Sequence, residues 1–173
     1  MVIRRRLNIK GKALVFVTTT VNNWMPVFAD KNAAQTLIKQ LKESLEYYNV
    51  SLVAYILMPS HLHMLLGFKN VEILSKFMQS FKILSSKRIG RILPEALSGK
   101  LIKNGSFHLW KTRFDDLVIT SEKQFRIKLE YIHNNPVKAG IAGDVCDWPY
   151  SSAAAWIQNK PGDLHIDMNF GWT

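Results

Sequence analysis

Four residues of this chain have the types and spacing for chemistry on a phosphate. His61 and His63 are separated by one residue, and about seventy positions later Tyr131 is followed four residues on by Asn135. Neutral imidazole binds borderline divalent ions, and two histidines leave coordination positions open for water and a phosphate oxygen. A phenol with a pKa near 10 needs help to attack at neutral pH. A nearby metal, or Lys128 one helical turn before Tyr131, could supply it. Taken singly, each feature has a plainer reading. A His-x-His pair also suits two polar residues on a solvated sheet face, and most helical tyrosines are packing residues with a wet hydroxyl. His108, His133 and His165 have no such partner and read as structural or surface residues.

The elements that must hold these groups follow from periodicity. Residues 61–68 alternate as a strand, which puts His61, His63 and Leu65 on one face and the apolar Leu62, Met64, Leu66 and Phe68 on the other. Residues 51–58 form the preceding strand, with Pro59-Ser60 as the tight turn of an antiparallel hairpin. A first strand is predicted over 13–21, broken by Asn22-Asn23 and Pro26. A helix follows over 30–48 with Asp30 as its N-cap, burying Ala34, Leu37, Ile38, Leu41 and Leu45. A second helix over 71–89 has Leu74, Phe77, Met78, Phe81 and Leu84 as its buried stripe and Ser75, Gln79, Lys82 and Ser86 on its wet side. Residues 90–105 read as basic and irregular, and 107–110 and 114–119 as extended. The tyrosine helix is predicted from Ser121 to Asn134, with Ser121 and Gln124 as a capping box and Pro136 ending or bending it. In it Phe125, Leu129 and Ile132 share the buried face, while Tyr131 and Asn135 meet one turn apart. A short helix is expected over 151–158. The order strand, helix, strand, strand, helix, strand, helix gives an α+β fold, an antiparallel sheet with helices packed on it.

The rest of the composition bounds the class. The chain has 173 residues, 47% of them hydrophobic, enough for one domain with a packed core. We divide it into a basic arm (1–12), the folded body, and a wrapping segment (137–173). The formal net charge of +10 favours a polyanionic partner. Its one cysteine, Cys146, excludes an internal disulfide and fits a reducing compartment. No apolar run approaches the ~18 residues of a membrane span. Arg4, Arg5 and Arg6 are not followed by an apolar region, so the start is not a signal peptide.

With these residues in view, the chain resembles a known family. The stretch from Tyr55 through Pro59-Ser60-His61-Leu62-His63 to Leu66 is similar to the HUH segment of single-tyrosine transposases. Trp110-Lys111-Thr112-Arg113-Phe114, the run from Tyr131-Ile132-His133-Asn134-Asn135-Pro136 to Gly140, and Trp148-Pro149-Tyr150-Ser151-Ser152 resemble later blocks of the REP-associated tyrosine transposase branch. The likeness covers most of the chain. Ser60 stands where the family often has asparagine, and Asp115 where an aromatic is common; both departures bear on hairpin recognition rather than on the implied catalytic atoms.

The resemblance implies a ferredoxin-like sheet, a divalent ion (Mg²⁺ or Mn²⁺) and cleavage of single-stranded DNA beside a hairpin. By position it makes His61 and His63 metal ligands, Asn135 the third ligand and Tyr131 the nucleophile that forms a 5′-phosphotyrosine. DNA is then expected to lie on Arg4, Arg5, Arg6, Lys82, Lys87, Arg88, Arg91, Lys111, Arg113 and Lys138, which fix register through phosphates. Trp110 and Phe107 are candidates for stacking on bases or for the core. Activity is expected to fall below pH ~6.5, where an ordinary imidazole protonates and ceases to be a ligand. A monomer and a homodimer both remain open. The competing functions are a hairpin-binding module that does not cut and a hydrolase of small phosphoesters, which would want more carboxylate or histidine ligands.

Overall fold

The computed structural model describes residues 9–171. Arg4, Arg5 and Arg6 lie outside the described residues.

Strand β1 (Ala13–Thr20) leads through two short 3₁₀ turns to helix α1 (Lys31–Tyr48). The Asp30 carboxylate caps α1 by accepting from Ala33 N at 2.8 Å, and Asn49 closes it in the left-handed region. Strands β2 (Ser51–Met58) and β3 (His61–Phe68) follow as the hairpin, with a register shift between Leu52 and Ala54. Then come α2 (Leu74–Gly90), the short α3 (Glu95–Ser98), a small hairpin of β4 (Ile102–Lys103) and β5 (Ser106–Phe107), and strand β6 (Asp115–Val118). Helix α4 (Glu122–Lys138) carries the tyrosine, and α5 (Ala153–Gln158) lies in the C-terminal segment.

The sheet order is β2-β3-β1-β6, antiparallel throughout. With α1 between β1 and β2 and α2 between β3 and β6 packed on the sheet, this is the ferredoxin-like arrangement, with α3 and the β4–β5 hairpin inserted after α2. Helices cover both faces. On one, Val15, Val17, Leu62, Met64, Leu66 and Phe68 pack with Leu37 and Leu41 of α1 and Phe77 and Phe81 of α2. On the other, Leu14, Phe16, Ala54, Ile56 and Leu65 pack with Ile132 of α4, and Phe125 and Leu129 lie against them. Burying Ile132 alone is worth ~1.5–3 kcal/mol, which sets the depth of α4 on the histidine face.

Four local expectations change. Helix α4 continues one turn past Asn134 and contains Pro136. Ala139 N still donates to Asn135 O, and the Pro136 carbonyl accepts from Ile141 and Ala142, so the backbone beyond the ring stays bonded. Leu84 is exposed; the next buried positions of α2 after Phe81 are Ser85 and Ile89. Residues 90–105 hold a short helix and half a hairpin rather than an irregular chain. In 107–110 only Ser106–Phe107 pairs locally, and Trp110 instead bridges Val21 at the end of β1.

Residues 148–167 run along β2, whose outer edge the sheet leaves open. Leu57 N donates to Tyr150 O, Ser152 N to Tyr55 O and Asp167 N to Leu52 O, while the indoles of Trp148 and Trp156 donate to Leu57 O and Val53 O. Edge groups that would otherwise template another strand are thereby paired. Phe170 then lies so close over Gly67 of β3 that a Cβ there would meet its ring at 2.6 Å.

Candidate active site

Strand register brings the chemistry together. Thr18 of β1 pairs with His63 and Thr20 with His61, so all four side chains belong to the face under α4. The two imidazole centroids are 4.8 Å apart. Thr18 Oγ1 is 2.7 Å from His63 Nδ1, and Ser60 Oγ is 3.2 Å from His61 Nδ1. Hydroxyls thus engage one nitrogen of each ring and leave both Nε2 atoms for another partner, the pattern that orients metal-binding histidines.

Helix α4 delivers the tyrosine. Ser121 Oγ caps it by accepting from Gln124 N at 3.2 Å, while Gln124 Oε1 reaches back to Thr120 N at 2.9 Å, one residue short of a full capping box. Two turns on, the Tyr131 hydroxyl lies 3.5 Å from His63 Nε2, within a single chain. Its ring packs at 5.1 Å from His63 and 6.0 Å, edge-on, from Phe16. Tyr131 remains 40% exposed, so a strand can approach it from solvent. Asn135 donates to the Tyr131 carbonyl at 3.3 Å, and its side chain also hydrogen-bonds His61. The Lys128 ammonium sits 4.5 Å over Phe16 and 5.4 Å over Tyr131, adding positive charge beside the phenol.

Burial sets the charge of the pair. It pushes the His63 imidazole down to about 3, helped by the charges of His61 and Lys128. Burial also lowers His61, against a smaller opposing effect of the Asn135 hydrogen bond. His63 therefore stays neutral, the ligand form, well below the pH of about 6.5 that an ordinary imidazole would set, and His61 is shifted in the same direction. The donor set fits a hard or borderline divalent ion that takes two imidazoles and an amide oxygen. Among the described residues no group of three or more His, Cys, Asp or Glu offers a competing centre.

The predicted phosphate-binding residues divide by position. Lys82, Lys87 and Lys111 line one groove between α2 and residues 107–114. The Lys82 ammonium, however, already donates to the carbonyls of Lys111 and Thr112 at 2.6 and 2.9 Å. Arg88 pairs with Glu43 at 2.7 Å. Arg91, Arg113 and Lys138 are surface side chains, Lys138 in the last turn of α4. Trp110 is buried between Phe28 and Phe81 and donates to Ser85 Oγ, so it is a core residue; Phe107 lines the groove. His133 is buried against Ser152 Oγ at 2.9 Å, a structural role. Sequence reasoning passed over Trp24, whose ring meets that of His61 at 5.8 Å. Its signal was an aromatic directly after the strand-breaking Asn22-Asn23. No described helix is long and apolar enough to cross a membrane.

Residues 13–135 match the family described as Transposase IS200 like. A Haemophilus influenzae protein named "Putative REP-associated tyrosine transposase" is 30% identical over 119 residues, 64% of this chain and 63% of that one. The REP-associated tyrosine transposase of Escherichia coli K12 is 40% identical over 48 residues, 28% of this chain and 29% of that protein. The chain thus aligns with less than two thirds of the length of either relative. In three dimensions it is similar to a REP-associated tyrosine transposase solved bound to a REP hairpin, with a TM-score of 0.73 and 24% identity over 98% of this chain and 94% of the other. That likeness is one of fold. The family match spans both histidines, the tyrosine and the amide, and on that match the chain belongs to the IS200-like transposase family.

Proposed function

We propose that this protein is a metal-dependent endonuclease and strand transferase that cuts single-stranded DNA beside hairpins of the REP type through a phosphotyrosine. The observation that carries this reading is the 3.5 Å approach of the Tyr131 hydroxyl to His63 Nε2 on a basic, solvent-accessible face.

His61, His63 and the amide oxygen of Asn135 would hold a Mg²⁺ or Mn²⁺ ion. When bound, such an ion supplies Lewis-acid polarisation of a phosphate oxygen and orients the phosphate. The remaining work falls to the chain. Phe16 and Ile132 fix the ring and helix of Tyr131, and the phenol oxygen attacks the scissile phosphorus in line. The new bond joins tyrosine to the 5′-phosphate, the bond to the 3′-oxygen breaks, and the phenolic proton ends on the departing 3′-hydroxyl. Because the phosphodiester energy is kept in the covalent link, a 3′-hydroxyl can reverse the step and join strands without a nucleotide cofactor. Lys87, Lys111 and Arg113 would hold phosphates, with salt-sensitive affinity. The structural relative was solved bound to a REP hairpin, which supports hairpin DNA as the partner class.

The test is incubation with labelled hairpins drawn from the DNA around the gene, with Mn²⁺, followed by denaturing electrophoresis. The wild type should form a covalent adduct that Tyr131→Phe lacks while still binding the hairpin. An adduct that survives Tyr131→Phe would move the nucleophile elsewhere. Binding with no cleavage by the wild type would leave a hairpin-binding module.

A further inference from the structure

Trp24 is a large apolar residue left 57% exposed at the rim of the candidate site. Its backbone lies in the left-handed region at φ 53°, directly after Asn23 at φ 56°. A bulky side chain seldom occupies that region, and strain of this kind persists where the surroundings hold it. Here they do. The Asn22 amide donates to the carbonyls of His108 and Trp110, both at 2.9 Å, and Asn22 N donates to Leu109 O. These bonds clamp the strained turn to the segment that follows β5. The indole is thereby held with His61 at its side and the Lys111 ammonium 4.5 Å over its ring. Lys111 is itself anchored by its backbone N–H to Thr20 O, the residue paired with His61.

Lys111 also forms one end of the groove described above, a cavity of about 740 Å³. Groove, Lys111, Trp24 and His61 therefore form one continuous tract in which positive charge alternates with an aromatic surface. A nucleic-acid strand asks for that combination, cations for phosphates and a flat apolar surface for an unpaired base.

We propose that Trp24 is a stacking platform for an unpaired DNA base next to the phosphate that Tyr131 attacks, with Lys111 binding the neighbouring backbone phosphate. This rests on the proposed function and adds a position-specific contact to it. An indole accepts any base, so the platform sets the path and register of the strand rather than its sequence.

The experiment measures hairpin binding without metal on a Tyr131→Phe background, so that neither cleavage nor the nucleophile enters the result. Trp24→Gly removes the ring and suits the left-handed backbone, so its melting temperature should equal or exceed that of the parent. It should weaken binding roughly 5- to 150-fold, while Trp24→Phe keeps most of the affinity. An abasic residue is then walked along the single-stranded flank. At one position it should weaken binding of the Trp24 protein by a similar factor and add little in Trp24→Gly. Binding by Trp24→Gly within about twofold of the parent, or abasic losses equal in both proteins, would overturn the platform. Failure of the nuclease reading is distinguishable, because a wild type that forms no adduct can still show the abasic coupling, and one that forms it can lack the coupling.

Discussion

Acid should destabilise this fold through two buried imidazoles. Burial pushes His133 down to about 4 and His63 to about 3. In the unfolded chain both titrate near the ordinary value of 6.5. The folded pKa is the depressed one, so below pH 6.5 the unfolded state binds protons that the folded state refuses. Stability is therefore complete above pH 6.5, falls as pH drops, and levels off near pH 4 for His133 and pH 3 for His63. At pH 5 both folded values lie below the ambient pH, so the loss depends chiefly on the unfolded value. It amounts to ~1.36 kcal/mol multiplied by about 1.5 pH units, or ~2 kcal/mol for each histidine. The sum, ~4 kcal/mol, is a large share of the ~5–15 kcal/mol that holds a domain together. His133→Gln keeps a polar partner for Ser152 and removes one titration. Urea unfolding at pH 7.5 and pH 5.0, in chelator, should show the variant losing ~2 kcal/mol less than the wild type between the two conditions. An equal loss in both proteins, or a wild-type loss under ~1 kcal/mol, would refute the assignment of the acid effect to desolvated histidines.

Two further outcomes follow from the site. Thr18→Val removes the hydroxyl at His63 Nδ1 and should weaken Mn²⁺ binding by ~10- to 100-fold in calorimetry, with Thr18→Ser restoring it; unchanged affinity in the valine variant would remove Thr18 from the scheme. With metal saturating, the acid fall in the rate of adduct formation should lie below the pH of about 6.5 that ordinary imidazoles would set, because burial lowers both imidazoles. A fall centred near pH 6.5 would show ordinary, solvated histidines and restore the expectation drawn from sequence alone.

The parts of the fold that periodicity determines were legible. Strands β2 and β3 span the predicted 51–58 and 61–68, because an apolar run, the alternation of His61 to Phe68 and the Pro59-Ser60 turn between them delimit a hairpin. The placement of Asn135 one turn after Tyr131 was legible because i, i+4 geometry is local, although the Asn135 amide bonds the Tyr131 backbone carbonyl rather than its phenol. What helix α4 covers was not. The alternation in β3 says only that His63 faces away from Leu62, whereas its depth depends on Ile132 closing over the second face, a contact 69 positions away in sequence. The near-continuous apolar run of β2, Leu52 to Met58, was the available sign that both faces are buried. The surroundings of Lys82 and Trp24 were not legible for a related reason. Whether an ammonium meets water or two carbonyls, and whether a tryptophan folds inward, is decided by where residues 107–114 lie. Nothing near those positions in sequence encodes that placement.

The seam that residues 148–167 make along β2 has a consequence for biosynthesis. All four strands leave the ribosome before this seam does, so the nascent sheet spends an interval with a bare, strongly apolar border. Sticking to a neighbouring nascent chain is most favoured in that window, and the window shuts only when Trp148 and Trp156 dock. Slowed translation across this stretch should therefore cost soluble yield more than an equal delay upstream of β2.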